Sequence, residues 1–598
     1  KAADGHVEMA QPELRSEAND KGSPVRPVYR IPEGIPQRLY ASLVGMALDQ
    51  AAPKISGAIP EPQRTAGELP TIAQALEYLH RPPAEADLKE LKAGRSMGHR
   101  TLAFDELFGF ELAMCVERER SRKRPGMELR GGEEHRLKPV LPQREDKGHR
   151  LKSVPPTEKF IETIPFQMTG AQRRTFREIG ADLAAPRQMN RILIGDVGSG
   201  KTAVAFWAML RAVESGAQAI MMAPTELLAE QHHRSFRQLC GGLGIRSELL
   251  TGRIAGAART ATMRDLARGD LPIAFGTQAL IQQNVRVAKL GLGIVDEQHR
   301  FGVFDRAKLK ALGPKANVLM ITATPIPRSL AMSLFANLDV SVLDELPPGR
   351  TPISTEIFPE DRLDEVDGFV QDEIARGHRA YYVLPLIEND DDEDAEVKTV
   401  TAMAARMKKG RLRDAGIGIL HGRMKGIEKD RVMREFRDGI IKVLIATTVV
   451  EVGIDVPEAT VIAIIAAERY GLAQLHQLRG RVGRGPDASR CCLVLSREAD
   501  DAAAARLKVM VEHSTGNAIA QADLDLRGPG DLLGARQTGA LPLRFLRYVN
   551  DPMMIGRARA MAEEWLKTDA KLATAASRGA KAAFRKMLAM GFSLADVG

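Results

Sequence analysis

Gly195-Asp196-Val197-Gly198-Ser199-Gly200-Lys201-Thr202 is the stretch that decides how this chain folds. It fits G-x-x-x-x-G-K-[ST]. An apolar run, Ile192-Leu193-Ile194, precedes it, and an alanine-rich helical pattern, Ala203 to Leu210, follows it. Strand, glycine-rich loop and helix in that order form the context of a phosphate-binding loop. Gly195, Gly198 and Gly200 let backbone N–H groups, that of Ser199 among them, turn inward around phosphate oxygens. The helix N-terminus adds the positive end of its dipole. Lys201 is expected to reach the β- and γ-phosphates of a nucleotide, and Thr202 to hold Mg²⁺. A chance match is expected at roughly a few per cent, and less with both flanks in place.

Working outward, the same grammar repeats. From Phe160 the chain alternates β and α patterns. Apolar runs at Asn190–Ile194, Ala219–Ala223, Ile273–Gly276, Leu292–Val295 and Val318–Thr322 predict strands, with helical periodicity between them. After Pro347-Pro348-Gly349 the alternation restarts, with strands predicted at Ala380–Leu384, Gly416–Leu420, Lys442–Ala446, Thr460–Ile464 and Arg490–Leu495. The fold class is α/β, with two doubly wound parallel-sheet domains in tandem, 159–349 and 350–499.

The flanks read differently. Residues 1–28 are polar, and Val7-Glu8-Met9 fits the end of a strand. Helical spacing (Leu39, Leu43, Met46; Ile72, Ala75, Leu76, Leu79; Phe104 to Val116) makes 29–118 a helical connecting module. Residues 119–158 are rich in Arg, Lys, Glu, Pro and Gly and poor in apolar side chains. They are expected to form a flexible charged loop. Glu388 to Glu396 reads as a solvated acidic insertion. Residues 500–598 are helical, interrupted by the glycine-rich Leu526–Gly539.

Bulk properties bound the function. A chain of 598 residues is too long for one core, and about three to five domains are expected. The net charge of +8 suits a nucleic-acid partner without requiring one. The four cysteines, Cys115, Cys240, Cys491 and Cys492, form no C-x-x-C pair and read as reduced thiols of a cytoplasmic protein. No apolar run approaches a membrane span, and the N-terminus has no signal-peptide core. The chain opens on Lys1 rather than Met, so the natural chain is expected to begin earlier.

A nucleotide hydrolase also needs carboxylates for metal and water, and a cation for developing charge. Leu292-Gly293-Ile294-Val295-Asp296-Glu297-Gln298-His299 ends an apolar strand with two carboxylates at its C-terminal edge, where open α/β sheets bind ligands. Asp296 is expected to hold Mg²⁺, and Glu297 to position and polarise the attacking water.

Asp296-Glu297-Gln298-His299 resembles the corresponding motif of superfamily-2 helicases and translocases, and further motifs follow in that family's order. Ala223-Pro224-Thr225-Glu226-Leu227 and Gly276-Thr277-Gln278-Ala279-Leu280 resemble first-domain segments that hold a nucleic-acid strand. Thr322-Ala323-Thr324 resembles the segment that couples hydrolysis to strand contact. His421-Gly422-Arg423 and the run Ala446 to Asp455 resemble second-domain motifs. Gln477-Leu478-Arg479-Gly480-Arg481-Val482-Gly483-Arg484 resembles the arginine-finger motif, which implies that Arg481 and Arg484 reach the γ-phosphate. The resemblance makes both α/β domains RecA-like. Met168-Thr169-Gly170-Ala171-Gln172 resembles an adenine-reading segment, which implies ATP. Phe166 is either a base-stacking residue or a core aromatic.

Longer words narrow the family. Asp296 to Val303, Thr322 to Arg328 and Ala473 to Gly485 together resemble the bacterial double-stranded-DNA translocases RecG and Mfd. Asp523 to Gly539 resembles their translocation element, and Arg527, Arg536 and Gln537, with His299, Thr322 and Thr324, are the implied coupling and DNA residues. Tyr29-Arg30-Ile31-Pro32-Glu33-Gly34-Ile35, with the helices that follow through residue 118, resembles the RecG region between its wedge and its motor, Val7 to Glu13 resembles the last strand of the RecG OB-fold wedge, and no segment resembles the Mfd polymerase-binding module. The RecG family is therefore the nearer resemblance, with most of the wedge absent. It implies an ATP- and Mg²⁺-dependent helicase acting on double-stranded and branched DNA in repair and recombination. It further implies a monomeric motor in the bacterial cytoplasm and nucleoid, with single-stranded-DNA-binding protein or fork proteins as candidate partners. Two alternatives share part of the pattern: a DExH-type RNA helicase, which Asp523 to Gly539 opposes, and a nucleic-acid-binding protein with an idle nucleotide site, which the complete set of Lys201, Thr202, Asp296, Glu297, Arg481 and Arg484 opposes. The two RecA-like domains are expected to stand apart without ligand.

Overall fold

The computed structural model describes residues 2–3, 6–7, 25, 27–31, 34–131, 154–297, 303–323, 338–345, 347, 352–385, 395–447, 456–527, 544–545 and 552–589. The chain divides into two compact units, Lys1–Ala113 with Pro529–Met590, and Met114–Gly528 with Gly591–Gly598.

In the first unit, β1 (Ala2–Ala3) pairs antiparallel with β2 (His6–Val7). Val7 is thus a strand residue, while Glu8 and Met9 lie outside the described residues. The rest is helical, built on the 3.6-residue apolar spacing seen in the sequence. Asp105 organises its centre. Its carboxylate meets the Arg64 guanidinium at 2.5 Å and accepts the N–H groups of Ala58 at 2.7 Å and Ile59 at 3.1 Å. All of this is buried, where a charge persists only if paired and hydrogen-bonded. The C-terminal helices Pro552–Thr568 and Arg578–Ala589 belong to the same unit. Gln63 Nε2 donates to the Met561 carbonyl at 2.8 Å, and Glu106 accepts from the N–H groups of Arg544 and Phe545. The helical stretch 500–598 is therefore divided: its first two helices, Asp501–Glu512 and Gly516–Arg527, belong to the second unit.

The second unit holds two parallel sheets. The first contains β3 (Asn190–Gly195), β4 (Gln218–Met222), β5 (Ser247–Leu250), β6 (Ile273–Gly276), β7 (Leu290–Asp296), β8 (Asn317–Thr322) and β9 (Asp339–Leu343), in the order β5-β6-β4-β7-β8-β3-β9. The second contains β10 (Ser354–Pro359), β11 (Arg379–Val383), β12 (Ile417–Leu420), β13 (Val443–Ala446), β14 (Ala459–Ile465) and β15 (Arg490–Leu495), in the order β10-β15-β14-β11-β13-β12. Helices such as Lys201–Glu214 between β3 and β4 and Glu226–Cys240 between β4 and β5 make the crossovers. These are the two RecA-like sheets expected. The unpredicted strands β5, β9 and β10 all lie at sheet edges. A central parallel strand is buried on both faces and reads as an apolar run, whereas an edge strand need not.

The helix Lys201–Glu214 lies deep in this unit, with Val204, Ala205, Phe206, Ala208, Met209 and Leu210 fully buried. Such all-round apolarity suits a helix covered on every side. Phe206 meets Phe236 and Phe275 edge-on, and Trp207 stacks on Phe176 at 4.7 Å.

The flexible-loop expectation for 119–158 fails where the structure describes it. Residues 119–122 end the helix Met97–Arg122, and residues 156–158 begin the helix Pro156–Thr163. Between them, the Met127 N–H donates to the Lys315 carbonyl at 2.9 Å and the Leu129 N–H to the Leu183 carbonyl at 2.7 Å. Leu129 is fully buried in the core of the first sheet domain. Two sparse apolar residues and borrowed backbone partners suffice to anchor a stretch whose composition looks unstructured. Residues 132–153 lie outside the described residues. Leu129→Ala should lower the stability of the second unit by about 3 kcal/mol in urea titration, whereas a solvated loop would leave it unchanged.

Candidate active site

The phosphate-binding loop joins β3 to the helix Lys201–Glu214. Gly198 and Gly200 have φ of +82° and +88°, in the left-handed region that L side chains avoid. Gly200 is sterically required as well, since a Cβ there would lie 2.2 Å from Gln172 Nε2. A Cβ on Gly195 would lie 2.6 Å from the buried Ser199 Oγ. Lys201 Nζ donates to the carbonyls of Gly195 at 2.7 Å and Asp196 at 2.8 Å. Burial pulls its pKa below the ordinary lysine value, against the opposing charges of Glu297, Asp296 and Asp196. Thr202 follows it in the first helical turn.

Asp296 and Glu297 stand at the C-terminal end of β7, as the sequence suggests. Asp296 Oδ1 accepts the Glu297 N–H at 3.1 Å, and its Oδ2 meets His232 Nε2 at 2.7 Å. Glu297 has φ of +53°, a strained value for a residue with a side chain. Burial and the Asp296 charge push its pKa up, against Lys201, Arg481 and the Ala323 N–H.

The second sheet domain supplies the cations. Arg481 is buried and Arg484 Nε donates to the Gly480 carbonyl at 3.0 Å. The Arg481 charge acts on Glu297 and the Arg484 charge on Lys201, so the arginines face the loop and the carboxylates electrostatically.

The two sheet domains are in contact rather than apart. Asp196 Oδ2 accepts the Gly516 N–H at 2.7 Å, and its Oδ1 lies 3.4 Å from His476 Nε2. Gly480 passes so close to Val197 that a Cβ on it would sit 3.0 Å from the Val197 Cβ. Further along the cleft, Arg253 pairs with Asp430 of the second domain and with Glu226 Oε2 at 2.8 Å. Partly buried polar groups of the protein itself span the cleft.

Gln172 differs from the adenine-reading expectation in its present contacts. Its Oε1 accepts the Thr169 N–H at 3.0 Å in a capping box, and its Nε2 donates to the Ser199 carbonyl at 2.9 Å. The amide braces the loop. Phe166 is half-buried and packs against the core. Thr322, at the end of β8, is buried. His299, Thr324, Arg536 and Gln537 lie outside the described residues, as does the side chain of Arg527.

Sequence reasoning missed His232, His476 and Gly516. The tandem His232-His233 after Ala223 to Leu227 is the one local signal for the first. The others are brought to Asp196 only by the fold.

A glycine-bent loop at a helix start, an ammonium, a hydroxyl and paired carboxylates fit a nucleoside triphosphate with a divalent metal. Comparison with known proteins agrees. Residues 169–333 match the DEAD/DEAH box helicase model, residues 366–486 the helicase conserved C-terminal domain, and residues 513–582 the C-terminal part of domain 3 of the ATP-dependent DNA helicase RecG. The chain is 38% identical over 560 residues to the RecG of Bacillus subtilis, covering 93% of this chain and 77% of that protein. The chain belongs to the RecG family of ATP-dependent DNA helicases. It is 40% identical over 566 residues to the RecG of Escherichia coli K12, covering 93% of this chain and 78% of that protein. A solved structure of RecG bound to a three-way DNA junction aligns with TM-score 0.69 and 34% identity, covering 90% of this chain and 66% of that chain. No described helix is long and apolar enough to cross a membrane.

If the RecG-family arginines stabilise charge on the transferred phosphoryl group, Arg481→Ala and Arg484→Ala should each lower kcat for ATP by about 10³-fold, with nucleotide affinity changed no more than about threefold. Steady-state kinetics alongside equilibrium titration of a fluorescent nucleotide would check both halves.

Proposed function

We propose that the chain is a double-stranded-DNA translocase that hydrolyses ATP to remodel branched DNA, such as stalled replication forks and recombination junctions. The observation that carries this reading is the cleft itself. Lys201 and Glu297 come from one RecA-like domain, Arg481 and Arg484 from the other, and Gly480, next to Arg481, lies against Val197 of the phosphate-binding loop. A site divided in this way makes hydrolysis depend on the arrangement of the domains, and so lets hydrolysis move them. The junction complex of the solved RecG relative supports branched DNA as the substrate.

Thr202 and Asp296 would hold Mg²⁺, which when bound offsets phosphate charge. His232 holds the Asp296 carboxylate in place. Lys201 exchanges the Gly195 and Asp196 carbonyls for phosphate oxygens. Glu297 orients the attacking water and takes up its proton, a role suited to a carboxylate whose proton affinity is raised. Arg481 and Arg484 stabilise the developing charge. Thr322 and Thr324, with His299, relay the state of the site to DNA contacts, and Arg527, Arg536 and Gln537 grip the duplex. Binding to backbone phosphates is independent of sequence and weakens with salt. The motor works as a monomer in the bacterial cytoplasm, near the nucleoid, where single-stranded-DNA-binding protein and fork proteins are its candidate partners.

Lys201→Ala should abolish ATP hydrolysis while leaving the thermal midpoint within about 3 °C of the parent, since the side chain is partly exposed and its hydrogen bonds go to carbonyls of the loop itself. Retained turnover would overturn the site. ATP turnover on linear duplex DNA, a three-way fork and single-stranded RNA tests the substrate. Stimulation by both DNAs and not by RNA is expected, and stimulation by RNA alone would favour an RNA helicase.

A further inference from the structure

Asp196, the second residue of the phosphate-binding loop, has no role in the chemistry described above. Its position is unusual because its main chain and side chain face different partners. The main-chain carbonyl accepts from Lys201 Nζ at 2.8 Å, within the phosphate site. The carboxylate leaves the first domain altogether. It accepts the Gly516 N–H at 2.7 Å, at the start of the helix Gly516–Arg527, and lies 3.4 Å from His476 Nε2.

The second domain is shaped for this contact. A Cβ on Gly516 would lie 2.1 Å from Asp196 Oδ1 and 2.8 Å from His476 Nε2, so only glycine leaves room for the carboxylate. Arg479 Nη2 donates to His476 Nδ1 at 3.1 Å. The accepting nitrogen is thereby fixed, and His476 presents its proton-bearing Nε2 to Asp196. Arg479 also donates to the carbonyls of Met510, His513 and Ser514, which lead into the same helix. Burial pushes the Asp196 pKa up, but His476, the Gly516 N–H and Lys201 outweigh it and hold the group below the usual carboxylate range. The contact is therefore a charge-assisted hydrogen bond between domains.

We propose that Asp196 is a positioning residue that transmits the nucleotide state of the loop to the helix Gly516–Arg527. When Lys201 turns from the Asp196 carbonyl to a phosphate, that carbonyl loses one hydrogen bond and keeps the one from the Ser199 N–H at 3.1 Å, so the backbone of residue 196 shifts about the turn it makes with Ser199. Its carboxylate, fixed to Gly516, carries that change across the cleft. The proposal rests on the reading of residues 195–202 as the ATP site and of 523–539 as the translocation element.

Hydrogen exchange on the full chain, with and without a non-hydrolysable ATP analogue, tests the coupling apart from turnover. In the parent, the analogue should protect residues 195–202 and change exchange across 516–527 by about threefold. Asp196→Ala and Gly516→Ala should keep the protection at 195–202 and lose the change at 516–527. Asp196→Asn retains an acceptor for the Gly516 N–H and should restore it. In parallel, base pairs unwound per ATP hydrolysed should fall at least about fivefold in Asp196→Ala and Gly516→Ala and recover in Asp196→Asn. An undiminished response at 516–527 in either alanine variant would overturn the proposal, as would a parent that shows protection at 195–202 with no response at 516–527. Absence of protection at 195–202 in the parent would instead overturn the ATP-site reading. If Asp196→Ala does not fold, Gly516→Ala decides the question, because it alters no residue of the loop.

Discussion

Charge balance in one cleft is the constraint on which the second unit depends. Lys201, Arg481 and the carboxylates of Asp196, Asp296 and Glu297 are largely withdrawn from water. A buried ion persists only with partners of opposite sign or with hydrogen bonds. Neither RecA-like domain holds the complete set. The first supplies the loop ammonium and the carboxylates, and the second supplies the arginines, His476 and the Gly516 N–H. Contact between the domains therefore satisfies groups that separation would leave to solvent alone.

Glycine sets how near the domains can come. A Cβ on Gly516 would collide with the Asp196 carboxylate, and one on Gly480 would press on Val197 at 3.0 Å. Gly480 belongs to the second sheet domain and Gly516 to the helix Gly516–Arg527 that follows it, while Asp196 and Val197 both belong to the phosphate-binding loop. The loop is thus packed on two sides. Gln172 braces it from its own domain, and the turn after Arg479 together with the helix start at Gly516 meets it from the other. Movement of the loop on ligand binding cannot remain local when its neighbours are this close.

Legibility in the sequence followed the range of the interaction. The loop from Gly195 to Thr202 and the pair Asp296-Glu297 are contiguous words, and their chemistry is written in adjacent residues. The central strands β3, β4, β6, β7 and β8 are apolar runs because they are buried on both faces. The edge strands β5, β9 and β10 escaped because their exposure breaks that run. Leu129 escaped for a related reason: its partners, the Leu183 carbonyl and the core beneath it, lie far along the chain. The same holds for Asp196, whose partner Gly516 is separated from it by the whole of the second sheet. Periodicity and motif spacing report local geometry, and a contact made by two folded domains leaves no local trace. The expectation of separated domains failed there, since only ligand-mediated contact was visible in the motifs.

Gln172 shows how a residue's contacts can stay hidden behind the motif that contains it. The segment Met168 to Gln172 reads as adenine recognition by resemblance, yet the amide oxygen is engaged by Thr169 and the amide nitrogen by Ser199. An amide carries two donors and two acceptor lone pairs, so one hydrogen bond on each atom leaves capacity on both. The brace ties the start of the helix Gly170–Ala184 to the Ser199 carbonyl of the phosphate loop. That arrangement links the shape of the loop, through Asp196 and Val197, to the groups packed against it across the cleft.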